Sequence, residues 1–163
     1  MFKIYLFTFL FSMIPIFELR GAIPYAYYNG VHFVTAYLIA VVGNLLPVPF
    51  IYLFARKFLT WGKDKKYIGK FFTFCLKKGE KGGQKLQKKG GRGLFLALMF
   101  FVGIPLPVTG AWTGTLAASI LDMGFKKTML AVLCGVLIAG VIVTLVVLGP
   151  LSFLQSIFTG SVS

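Results

Sequence analysis

Apolar and polar positions along this chain fall into long uncharged stretches separated by two short interruptions rich in glycine and proline. Ile4 to Phe17 is a mostly apolar run of 14 residues. Val31 to Ala55 follows as 25 residues without Asp, Glu, Lys or Arg. Leu94 to Ile104 and Leu116 to Leu121 are again short and apolar, and Thr128 to Leu148 is an uncharged run of 21. A helix rises ~1.5 Å per residue, so the two long runs can cross a hydrocarbon core ~30 Å thick. The short runs pass its middle and stop.

The stops carry the unusual residues. The first reads Glu18-Leu19-Arg20-Gly21-Ala22-Ile23-Pro24. The second reads Gly103-Ile104-Pro105-Leu106-Pro107-Val108-Thr109-Gly110-Ala111-Trp112-Thr113-Gly114 and has no charge. A short run ending in a break predicts a re-entrant hairpin. The first would go in along Ile4 to Phe17, turn at Gly21 and Pro24, and return through Tyr25 to Tyr28. Irregular backbone at that depth is tolerated where protein or a water-lined cavity satisfies it. Asn29-Gly30 reads as a surface turn. Pro47 and Pro49 should kink or break the long run that follows, because each lacks an N–H donor. Gly149-Pro150 should end the last one, leaving 151–163 as a short tail.

The fold class predicted is therefore an all-α integral membrane protein with an inverted-topology repeat, each half a re-entrant hairpin followed by a transmembrane helix. It is one domain: repeat one over 1–55, a basic loop over 56–92, repeat two over 93–150, then the tail. From Glu18 to Asn44 is 26 residues and from Pro107 to Cys134 is 27, so the plan recurs although residue identity between the halves is slight. The competing arrangement, in which both hairpin segments are ordinary spans, is left open by the single Lys3 at the start. A signal peptide would also begin with one charge and a short apolar core, but no small-x-small cleavage site follows.

Composition agrees with a membrane class. Hydrophobic residues are 58% and charged residues 13% of 163, against about 45–50% and about 25% in soluble domains. The net charge of +13 would suit nucleic acid, yet 13 of the 17 basic residues lie between Arg56 and Arg92. A basic block between apolar halves marks a cytoplasmic loop in a multi-pass protein of the cell membrane, where it meets anionic lipid headgroups; no nucleic-acid partner is expected. Within it, Tyr67, Ile68, Phe71, Phe72 and Cys75 recur at helical spacing, which suggests an interfacial helix. With that loop and Lys126-Lys127 both cytoplasmic, the two hairpins would enter from opposite faces and meet near the midplane, a plan found among secondary transporters. Cys75 and Cys134 should sit in different phases, so no disulfide is expected, and no metal-ligand spacing or cofactor motif occurs. His32 reads as interfacial.

Ionisable residues at membrane depth are functional hypotheses by default. The candidate substrate or proton pathway comprises Glu18, Arg20, Gly21, Pro24, Asn44, Pro105, Pro107, Thr109, Gly110, Trp112 and Thr113. Glu18 has two competing roles: a lone buried carboxylate that exchanges a proton once per cycle, or the partner of Arg20 in a structural pair. Asn44 would seek a polar partner within the bundle, with or without a part in binding. Trp112 offers a ring face to a cation, or packs. No nucleophile–base pair accompanies these residues, so an enzyme is not expected.

The paired motifs Glu18–Pro24 and Gly103–Gly114 resemble the small multi-drug export protein family, and the resemblance covers nearly the whole chain. That family is similar in architecture to the DedA and VTT-domain membrane proteins. The resemblance implies two opposed re-entrant hairpins, association as a homodimer, and movement of an amphipathic molecule or a lipid carrier such as a polyprenyl phosphate. Glu18 matches the DedA-like acidic residue of the first hairpin. The arginine that DedA proteins carry near the second proline motif has no counterpart here; the nearby base is Arg20, in the first hairpin. The alternative function is a non-transport scaffold that binds anionic lipid or a cytoplasmic partner through the basic loop.

Overall fold

A computed structural model describes residues 1–63, 92–105 and 109–159 of the chain. Most of the basic loop, with its expected interfacial helix and Cys75, lies outside the described residues, as does Pro107. Among the described residues the structure is all-helical: α1 (Phe2–Met13), α2 (Glu18–Tyr28), α3 (Phe33–Leu45), α4 (Val48–Lys63), α5 (Arg92–Gly103), α6 (Ala111–Ile120) and α7 (Phe125–Thr159).

Each short apolar run forms the first arm of a helical hairpin. The α1 arm packs antiparallel to α2: Phe11 meets Tyr25 edge-on at 5.0 Å, and Ile4 and Tyr5 cover Ala26. In the second hairpin a Cβ placed on Gly114 of α6 would meet Val102 and Leu98 of α5. The first turn is not at Gly21 and Pro24, as the sequence suggested. It occupies residues 14–17, and both Gly21 and Pro24 lie inside α2. Pro15 stops α1, because proline disfavours helix in the residue before it. Pro24 only withholds one N–H from the Arg20 carbonyl, which a membrane helix tolerates. Gly21 has a packing reason: a Cβ there would stand 3.1 Å from the Phe17 Cβ.

Among the described residues two stretches are long and apolar enough to cross a bilayer, Phe33–Ala55 and Phe125–Gly149. The first is α3 and the start of α4, interrupted at Leu46 and Pro47 as the prolines predicted. The second does not end at Gly149-Pro150; α7 continues to Thr159. One proline deletes one hydrogen bond, and the apolar residues on either side of it still favour helix.

The spanning helices seat the hairpins through small residues. Gly43 of α3 lies directly beneath the Ser12 hydroxyl, with the Phe9 carbonyl 2.7 Å from where a Cβ would stand. Gly135 of α7 stands likewise against the Met99 carbonyl, at 2.7 Å, and Gly103 of α5 faces Ile138 at 3.3 Å. Close backbone approach of this kind is how helices associate where lipid offers no hydrophobic drive. The tip of the first hairpin thus stands at Gly43, beside the middle of Phe33–Ala55. The tip of the second stands at Ile138, beside the middle of Phe125–Gly149. The core between them joins Leu19, Ala22 and Ile23 of α2 to Ala111 of α6 and Val132 and Val136 of α7.

Candidate functional site

The two breaks meet. A cavity of about 550 Å³ lies between them, walled by Pro15, Ile16, Phe17, Glu18 and Arg20 of the first hairpin and by Pro105, Thr109 and Thr113 of the second. Its volume falls within the ~300–1,000 Å³ usual for ligand sites.

Glu18 opens α2, where a carboxylate suits the positive helix end. Its side chain nevertheless serves another helix. Oε1 accepts the backbone N–H of Trp112 at 3.2 Å, and the Ala111 N–H also points to the carboxylate. These are the first two residues of α6. The residue before them, Gly110, occupies the N-cap position and has no side chain to close that helix. A Cβ on Gly110 would collide with the Glu18 carboxylate. The acid of one hairpin therefore fills the place where a capping Ser or Asp of the other would stand. Glu18 is 5% exposed and has φ +46°, in the left-handed region that a non-glycine residue seldom adopts.

Arg20 reaches the same way. Its Nη2 donates to Thr109 Oγ1 at 3.3 Å, and Thr109 Oγ1 donates to the Ile104 carbonyl at 2.9 Å. Arg20 and Glu18 are also close enough for their charges to attract. Thr113 Oγ1 donates to the Gly110 carbonyl at 3.4 Å. Trp112 fastens the opposite side: its indole N–H donates to the Met13 carbonyl at 3.1 Å, so the end of α1 is tied to the start of α6.

Of the residues singled out from sequence, Glu18, Arg20, Pro105, Thr109 and Thr113 line the cavity, and Gly110 and Trp112 hold Glu18 at its wall. Gly21 and Pro24 lie further along α2. Asn44 stands apart, 1% exposed on the core face of α3 with neither amide atom hydrogen-bonded. Pro15, Ile16 and Phe17 are wall residues that sequence reasoning passed over. A signal for them exists in the sequence: Ile14-Pro15-Ile16 and Ile104-Pro105-Leu106 repeat one pattern.

Two apolar spanning stretches, and a charged cavity held between two helical hairpins, define the class: a helical membrane protein. Residues 18–142 match the family model described as "Putative small multi-drug export protein", and the chain belongs to that family. No curated protein and no solved structure matches it. The matched stretch begins at Glu18 and contains every candidate residue from Glu18 to Thr113.

Proposed function

We propose that the chain is a membrane transporter of an amphipathic small molecule or lipid carrier, driven by proton exchange at Glu18. One observation carries this reading: the cavity that holds Glu18 and Arg20 is built from both breaks. It stands where both hairpin tips reach mid-span. That placement supports hairpins of half-membrane depth. Their opposed direction is supported by contacts between the halves. Tyr52, near the end of the first spanning stretch, packs its ring on Phe125 at the start of the second, 5.6 Å away. Each hairpin also begins on the face where its own spanning helix begins: Ile4 and Tyr5 pack near Ala36, and Leu94 lies near Met123.

In this reading the trans-cap is the gate. While Glu18 is ionised it holds the N-terminus of α6 and closes one hairpin on the other. A proton on Glu18 removes the charge that the helix end favours, and the hairpins part. Arg20 and Thr109, which belong to different hairpins, offer a charged and a hydroxyl donor to the polar end of a substrate. Arg20 thereby supplies from the first hairpin the base that the second lacks. One copy offers two spanning stretches around one cavity, so a homodimer completes the pathway. The basic loop faces the cytoplasm, against anionic lipid.

The test is transport in proteoliposomes, with and without a pH gradient, using a fluorescent cationic dye and a labelled polyprenyl phosphate. Glu18→Gln keeps an oxygen for the Trp112 N–H and removes the charge. Transport by the parent that follows the gradient and stops in a folded Glu18→Gln supports the proposal. Transport that Glu18→Gln leaves intact refutes the proton step, and movement of neither probe by the parent refutes the substrate classes named.

A further inference from the structure

A second cavity of about 580 Å³ is almost wholly apolar and has no lining residue in common with the first. Met13 and Trp112, joined by their hydrogen bond, line one end of it. Leu46, Phe50 and Phe54 form its floor, at the four-residue spacing that puts side chains on one face of a helix, and Lys57 continues the same face at the far end. The orientation of this groove follows from its neighbours. Ser12, beside Met13, sits on Gly43, so this end stands at the proline break in mid-span. From Pro47 to Lys57 a helix rises ~15 Å, half the ~30 Å hydrocarbon core. The groove therefore runs from the middle of the membrane to the face where the basic loop begins. Phe50 and Phe54 are 68% and 71% exposed, so it is open along its length to lipid.

We propose that this groove seats the hydrocarbon tail of an anionic amphiphile. Lys57 holds the headgroup at the membrane face and the chain lies over Phe54, Phe50 and Leu46 toward Trp112. The choice of occupant rests on charge: an apolar track with a lysine at its rim complements one hydrocarbon chain with one negative head. A zwitterionic lipid, whose own cation offsets its phosphate, would gain less from Lys57. This assignment depends on the transport reading for its purpose, and its measurement does not.

The chain has two tryptophans, so Trp61→Phe leaves Trp112 as the reporter. The purified variant is placed in phosphatidylcholine vesicles that contain rising fractions of chain-brominated phosphatidic acid or chain-brominated phosphatidylcholine. Bromine quenches a tryptophan it touches. Half-maximal quenching by the acidic lipid is expected at about fivefold lower fraction, the attraction that one basic residue exerts on an anionic headgroup. Lys57→Gln, with the Trp112 emission maximum unchanged as the folding control, should make the two lipids equal. Equal quenching in the parent overturns the assignment. So does a preference that survives Lys57→Gln, and so does protection of Trp112 from both lipids, which would mean that a second copy covers the groove. If the headgroup preference is found and no probe is transported, the groove stands and the transport reading falls. If a probe is transported and the preference is missing, the groove falls and the transport reading stands.

Discussion

The two hairpins are alike in plan and opposite in chemistry. Both have a twelve-residue first arm and a short return helix, with the sequence pattern Ile-Pro-apolar following each first arm. The first carries Glu18 and Arg20; the described part of the second carries no charge between Gly103 and Leu121. The second supplies what those charges need: the N–H groups that begin α6 and the Thr109 hydroxyl. Each hairpin draws part of its tip's hydrogen bonding from the other. The difference teaches that part of the polar cost of each break is met across the interface between the hairpins.

That comparison can be broken most severely at Glu18. Glu18→Ala should abolish transport and lower stability by about 2–3 kcal/mol, because it removes a charged hydrogen bond and leaves buried N–H donors unmet. Thermal unfolding in detergent reads this, and Glu18→Gln should lie much nearer the parent. Gly110→Ala approaches the same result from the other side, at about 1–3 kcal/mol, since its Cβ collides with the carboxylate. Combined with Glu18→Ala it should cost less than the sum of the two, the sign of a shared contact. Gly110→Asp in the Glu18→Ala chain sharpens the point: a local cap should recover stability without recovering transport.

The likeness between the halves can be tested as well as the contrast. Gly43→Ala and Gly135→Ala each drive a Cβ against a backbone carbonyl 2.7 Å away, one beneath each hairpin. Both should destabilise by about 1–3 kcal/mol if the hairpins are seated equivalently. A harmless Gly43→Ala beside a damaging Gly135→Ala would show the first hairpin to be the mobile one. Thr109→Val should have the smallest effect, about 0.5–1.5 kcal/mol for one hydrogen bond. It should appear as weaker substrate binding at unchanged maximal rate.

The two long apolar stretches, the Pro47 break and the charged tip were legible because they depend on local rules: runs of apolar residues, missing N–H donors, ionisable groups out of place. The first turn was misplaced by about two helical turns, at ~3.6 residues each, because glycine and proline were weighed equally. Pro15 ends a helix at its last residues, whereas Pro24 sits where α2 is already committed and Gly21 serves Phe17. Asn44 was grouped with the site because it is polar and central, but its face of α3 is set by helix phase, which turns it to the core. The role of Gly110 was beyond sequence reasoning altogether. The residue that replaces its missing side chain is Glu18, more than half the chain away.

The left-handed backbone of Glu18 sets conformation and chemistry against each other at a single position. By geometry the residue should be glycine, since a side chain in that conformation costs roughly 1–2 kcal/mol. By contact it carries a side-chain acceptor, since α6 has no side-chain cap of its own and its Trp112 N–H donates to Glu18. Glycine at position 18 would relax the first hairpin and strand the second. A sequence that kept the easier backbone would therefore make a calmer protein with its two halves uncoupled, and the discomfort at Glu18 measures how strongly this one keeps them joined.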